Sequence, residues 1–142
     1  MQSIYLAGGC FWCTEAIYLK LKGIQNITPG YIGGVSKNPT YEEVCKGMTG
    51  HAEAIKCDFD DKIISLELIL EVFFLAHDPT QKNRQGNDMG TQYRSAIYYK
   101  NENNIKTILA SKEQYQTELS KKNLGMIETE IKMIDSYFYA EQ

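Results

Sequence analysis

The feature that most restricts this chain is a strand-like run cut by two glycines and followed at once by a helix start. Ser3-Ile4-Tyr5-Leu6-Ala7 has strand character and Gly8-Gly9 stops it. Phe11 to Lys22 then sets Phe11, Ala16, Ile17 and Leu21 at helical spacing before Gly23. The alternation recurs down the chain. Ile24 to Thr28 reads as a strand, and Pro29-Gly30-Tyr31-Ile32-Gly33-Gly34 as a loop or bulged strand end that displays Tyr31 on irregular backbone. Thr40 and Glu43 form a capping box, which predicts a short helix ending near Gly47. His51 to Phe59 alternates with period two, with Glu53, Ile55, Cys57 and Phe59 on one face. Ser65 caps a helix through Ala76, and His77-Asp78-Pro79 ends it. A strand over Arg94 to Tyr99, a helix over Glu102 to about Lys122 and a strand over Met126 to Ile134 complete the pattern.

That order, broadly βαβαβαβαβ, excludes all-helical and all-strand folds. It is best satisfied by an α+β, two-layer sandwich with helices on a mixed sheet, the alternative being a doubly wound parallel sheet. With 142 residues the chain is expected to form one domain with its own core. Hydrophobic residues at 43% and charged residues at 23% are those of a globular protein and not of a disordered or fibrous one. The longest apolar run, Leu66 to Ala76, is interrupted by Glu67 and Glu71 and is far short of the roughly 20 residues that span a bilayer, so no membrane association is expected. A net charge of -3 without a basic stripe argues against nucleic acid as a partner. The residues before Cys10 lack the charged and apolar regions of a leader, so the chain is expected to start at or near Met1. The cysteines Cys10, Cys13, Cys45 and Cys57 are too few and too irregularly spaced for a disulfide scaffold, which points to a reducing cytoplasm.

Cys10 lies where unpaired backbone N–H groups and the positive end of a helix dipole favour a thiolate, which predicts a lowered pKa and a nucleophile. The alternative is a small core side chain. Cys10-Phe11-Trp12-Cys13 is also a C-x-x-C. Cys45, Cys57, His51 and His77 offer no second paired spacing to complete a zinc site, and His51-Ala52-Glu53 stands on the wrong side of the cysteine pair for a zinc deaminase. A thioredoxin-like dithiol fits the same strand and helix start.

Glu53 falls on the face of its strand that should be buried. Desolvation raises a carboxyl pKa, and an acid still protonated near neutrality can donate a proton in catalysis. If the strand starts later, Glu53 is solvated in the Gly50-His51 turn. Thr80 to Gln92 is a polar stretch of the length that is functional in compact domains. Both arginines, Arg84 and Arg94, lie in or beside it, and their planar forks predict fixed partners such as Asp88 or the backbone. His77 and Asp78 are expected to cap the preceding helix.

Six motifs occur in order: Gly8-Gly9-Cys10-Phe11-Trp12; Gly30-Tyr31-Ile32-Gly33-Gly34; Asn38-Pro39-Thr40-Tyr41-Glu42-Glu43-Val44-Cys45; Gly50-His51-Ala52-Glu53; His77-Asp78-Pro79-Thr80; and Gly86-Asn87-Asp88-Met89-Gly90-Thr91-Gln92-Tyr93-Arg94-Ser95. Together they resemble the peptide methionine sulfoxide reductase A family over nearly the whole chain. The resemblance implies a ferredoxin-like core and thiol-dependent reduction of the S epimer of methionine sulfoxide, free or in proteins, with no cofactor. It further implies that Cys10 is the nucleophile, Phe11 and Trp12 hold the substrate methyl, Glu53 is the acid, and Tyr31, Asp88 and Tyr93 polarise the sulfoxide oxygen. Attack leaves a sulfenic acid, which a second thiol converts to a disulfide. In many members that thiol sits in a tail beyond Tyr137-Phe138-Tyr139-Ala140-Glu141-Gln142, and the resemblance to the family leads us to expect that tail to be short or missing here. Cys13 is then the possible internal resolving thiol, Cys45 and Cys57 read as packed core thiols, and thioredoxin, glutaredoxin or a small thiol is the reductant.

Overall fold

A computed structural model describes residues 2–47 and 49–140. Met1, Met48, Glu141 and Gln142, and with them the expectations about where the chain begins and ends, lie outside the described residues. Strand β1 (Gln2–Ala7) leads into helix α1 (Phe11–Tyr18), followed by β2 (Ile24–Ile32), α2 (Tyr41–Cys45), β3 (Ala52–Phe59) and α3 (Leu66–Ala76). A small hairpin of β4 (Arg84–Gln85) and β5 (Asp88–Met89) comes next. After it come β6 (Ala96–Tyr99), α4 (Ile105–Lys121), β7 (Glu130–Met133) and β8 (Tyr137–Tyr139). The main sheet has the order β7-β6-β1-β3-β2-β8. Every pairing in it is antiparallel except β6 with β7, so the sheet is mixed and the doubly wound alternative is excluded.

Alternation along the strands divides the core into two layers. Ile4, Leu6, Tyr31, Ile55, Cys57 and Phe59 face the helices, where Phe11, Tyr18, Ile69, Phe73 and Ile108 meet them. Tyr5, Ala7, Ile32, Ala52, Ala54 and Tyr98 face the other way. The chain from Ile134 to Tyr137 packs on that second layer, with the Tyr137 phenol donating to the carbonyls of Thr28 and Ala54. Both faces are covered, which is why β3 is buried nearly throughout despite its polar residues.

Local signals act as expected at several element starts. The Thr40 side chain accepts from the Glu43 N–H and the Glu43 carboxylate accepts from the Thr40 N–H, and Ser65 accepts from the Leu68 N–H. Caps of this kind contribute about 1 kcal/mol each. Other boundaries differ. Helix α1 stops at Tyr18 and not at Lys22, because the Leu21 N–H closes a tight turn onto the Tyr18 carbonyl and Gly23, at φ +95°, reverses the chain. The residues read as a loop from Pro29 to Ile32 are regular strand, so Tyr31 is held on ordinary β backbone. Proline is tolerated there because the Pro29 carbonyl points to the β8 side, where it accepts from the Ala140 N–H, so its missing N–H interrupts no bond to β3. The last predicted strand shortens to β7, while β8 and the β4–β5 hairpin carry no periodicity long enough to read.

Candidate active site

The Gly8-Gly9 turn delivers Cys10 to the N-cap of α1, with Gly9 at φ +90°, a conformation that side chains rarely adopt. The Cys10 carbonyl accepts from the N–H groups of Cys13 and Thr14 at 3.1 and 3.2 Å, and the nearby backbone N–H groups of Trp12 and Cys13 act to lower the thiol pKa. The expected lowering of the thiol pKa does not follow. Burial pushes the Cys10 thiol above its ordinary value and outweighs the two backbone donors, and the charge of Glu53 acts in the same direction.

Glu53 is 1% exposed, which rejects the solvated-turn alternative. Its Oε1 accepts the backbone N–H of Phe11 at 3.3 Å, and its Oε2 has no hydrogen-bond partner among the described residues. Burial pushes its pKa up to about 7; the Phe11 N–H opposes this and the field of Asp88 adds to it. The Glu53 carboxylate raises the Cys10 thiol, so the pocket resists carrying a thiolate beside a carboxylate.

Tyr31 stands directly opposite Glu53 in the β2–β3 register, on the same face and fully buried. Tyr93 ends the 3-10 turn Thr91–Tyr93, and burial followed by the fields of Glu53, Cys45, Asp88 and Cys10 pushes its phenol up to about 12. Asp88, on β5, is exposed beside them. Phe11 is buried and Trp12 is 50% exposed, their rings meeting edge to face at 4.9 Å, so the indole is open to a ligand while the phenyl ring is fixed. The structure thus brings Cys10, Phe11, Trp12, Tyr31, Glu53, Asp88 and Tyr93 into one neighbourhood.

Beside these seven residues stands one more side chain, for which the sequence suggests no role. The Tyr41 ring stacks on Phe11 at 6.3 Å and 22°, and a hydrogen bond with Cys45 pushes its phenol up. Its place in the Thr40–Cys45 motif was visible in the sequence, but stacking across elements leaves no local signal. Cys45 is half-buried beside Tyr41 and is not a core thiol, whereas Cys57 is fully buried as expected and Cys13 is exposed. His51 is occupied: its Nδ1 accepts from the Gly34 N–H at 3.0 Å and its Nε2 donates to the Ser36 carbonyl at 2.7 Å. His77 caps α3, as expected, by donating from Nδ1 to the Phe73 carbonyl at 2.6 Å. Arg84 donates to the Gly86 carbonyl at 2.7 Å, and Arg94 to Glu130 at 3.1 Å and the Thr91 carbonyl at 2.9 Å. Neither arginine pairs with Asp88; Arg94 instead ties the turn bearing Tyr93 to the edge strand.

The family model described as peptide methionine sulfoxide reductase matches residues 2–142. The chain belongs to the peptide methionine sulfoxide reductase family. Membership makes it an oxidoreductase that reduces methionine sulfoxide with electrons from thiols, and it disfavours the thioredoxin-like alternative. The reductase MsrA of Saccharolobus solfataricus is 50% identical over 141 residues, 99% of this chain and 77% of that relative. Among solved structures, methionine sulfoxide reductase A of Corynebacterium diphtheriae has a TM-score of 0.92 at 36% identity, covering 99% of this chain and 70% of that one. Mxr1 of Saccharomyces cerevisiae in reduced form gives 0.91 at 35% identity, covering 99% and 80%. Mxr1 in complex with Trx2 gives 0.68 at 26%, covering 96% and 78%. No helix among the described residues is long and apolar enough to cross a membrane.

Proposed function

We propose that the chain reduces methionine-S-sulfoxide, free or in proteins, to methionine through a sulfenic acid on Cys10, as repair after oxidation. The observation that carries this reading is the buried Glu53 carboxyl, bonded through Oε1 to the residue after Cys10 and held up to about 7. A sulfoxide sulfur becomes electrophilic as its oxygen gains a proton. With Glu53 protonated, the Cys10 sulfur no longer faces a carboxylate, so the proton that activates the oxygen also favours the nucleophile. Cys10 attacks, the sulfoxide oxygen ends on its sulfur as Cys–SOH, and methionine leaves. Tyr31, Asp88 and Tyr93 polarise the oxygen, and Phe11 and Trp12 hold the methyl group. The S epimer is supported by the kinship to proteins named MsrA, since one enzyme serves each sulfoxide epimer.

A second thiol then condenses with the sulfenic acid, releasing water and forming a disulfide. Glutaredoxin or a small thiol can supply it, and the Mxr1–Trx2 complex supports a thioredoxin as reductant. Cys13 is the internal thiol we credit: it is exposed and stands at the N3 position to the N-cap Cys10, the same pairing that joins Thr40 to Glu43. We read residues 1–142 as one catalytic domain built on a ferredoxin-like core, supported by the order β6-β1-β3-β2 with every neighbour antiparallel. Four free cysteines support a reducing, cytoplasmic setting. The test is incubation with the separated sulfoxide epimers and dithiothreitol. Methionine is expected from the S epimer only, and insulin disulfide reduction without methionine would sink the proposal.

A further inference from the structure

The turn that carries Cys10 is pressed between two side chains. A Cβ at Gly8 would lie 3.0 Å from the His77 ring, and one at Gly9 would lie 3.0 Å from Gln85 Cγ. His77 is fixed from its own side by the Phe73 carbonyl and by Ser95 Oγ, which lies 2.7 Å from Nε2. Gln85 arrives from the β4–β5 hairpin. Arg84, Gly86, Asn87, Asp88 and Met89 of that hairpin are exposed, and Gln85 alone among them is half-buried. Its amide bonds twice to one backbone unit, Oε1 accepting from the Asp78 N–H at 2.9 Å and Nε2 donating to the Asp78 carbonyl at 3.0 Å. Directly across the hairpin from Gln85 is Asp88. A two-stranded ribbon of this length has little stability of its own, so its placement depends on what fastens it to the body. The Arg84–Gly86 and Gln81–Gly86 bonds stay within the loop, whereas the Gln85 amide reaches Asp78, the residue after the His77 cap of α3.

We propose that Gln85 is a positioning residue, which seats the β4–β5 hairpin on the Gly8-Gly9 turn and thereby fixes Asp88 beside Glu53 and Tyr93. The proposal rests on the role given to Asp88 above. An error of about 1 Å in placing a group at the reacting atoms lowers rate by about 10²-fold, and an untethered hairpin tip moves further than that.

The test compares Gln85→Ala and Gln85→Glu in the wild-type and Asp88→Asn backgrounds. It reads single-turnover methionine formation, Cys10 alkylation, melting temperature and hydrogen exchange over residues 84–89. Gln85→Ala is expected to slow single turnover by about 10–100-fold and to speed exchange in the hairpin, with alkylation and melting temperature nearly unchanged. Gln85→Glu, which turns the donor toward the Asp78 carbonyl into an acceptor, should reproduce most of the loss. In Asp88→Asn the same substitutions should add little, because the group they position is already gone. An equal slowing in both backgrounds, or alkylation falling in step with turnover, would overturn the proposal while leaving the role of Asp88 intact. Unchanged single turnover in Asp88→Asn alone would refute that role, and the proposal with it.

Discussion

Glu53 and Phe11 are joined across the fold by a hydrogen bond of 3.3 Å from the Phe11 N–H to Glu53 Oε1, so the buried acid is fastened to the residue that follows the nucleophile. The bond spans strand β3 and the first turn of α1. Acid and sulfur are therefore set against each other by two rigid elements and not by a loop.

Replacing Glu53 by Gln keeps that acceptor and removes the proton. Single-turnover methionine formation at neutral pH is expected to fall by about 10²–10⁴-fold while Cys10 still alkylates. Rapid quench with methionine-S-sulfoxide checks the first and iodoacetamide kinetics the second. An unchanged turnover rate would remove Glu53 from the chemistry.

The raised pKa of Glu53 also fixes a stability signature. A carboxyl that ionises near 7 when folded and at its ordinary 4.5 when unfolded binds more protons in the folded state across that window. Its unfavourable contribution is absent below the unfolded value and grows as pH rises toward 7. Glu53→Gln should melt above the wild type at pH 8, with the difference shrinking toward pH 4.5, as thermal scans across that range would reveal. In the same range the sulfoxide step should decline above pH 7 as Glu53 loses its proton.

The cysteines should separate by role. Cys10→Ser is expected to abolish reduction, whereas Cys45→Ser and Cys57→Ser retain the first turnover. Cys57 is fully buried, so serine there leaves a hydroxyl to satisfy and should lower stability by about 1–3 kcal/mol, read from denaturant unfolding. Loss of the first turnover in Cys45→Ser would bring that thiol, through Tyr41, into the chemistry.

Resolution is expected to be carried mainly by an external thiol. After one equivalent of substrate without reductant, intact mass should show a Cys10 sulfenic acid that dimedone traps, and glutathione should convert it to a mixed disulfide. A quantitative Cys10–Cys13 disulfide would instead make Cys13 the main resolver and thioredoxin the natural reductant, since thioredoxin attacks a protein disulfide.

Much of this site was written in short stretches of sequence. The Gly8-Gly9 turn and the helical spacing after it place Cys10 at an N-cap, and period-two alternation through Phe59 buries Glu53, because caps, glycine turns and periodicity act over a few residues. The Thr40 and Ser65 caps were legible for the same reason. What lay beyond reach depends on distant segments meeting. Pro29 to Ile32 carries loop-forming residues, yet pairing with β3 and β8 holds it as strand and sets Tyr31 against Glu53. Tyr41 joins the site only by stacking on Phe11, and Arg94 finds Glu130 only because β6 and β7 run side by side. The Cys10 thiol shows the division most directly. Its local setting fixes the donors that lower its pKa, but the sign of the shift is decided by burial, to which every packed element contributes and which no short stretch of sequence contains.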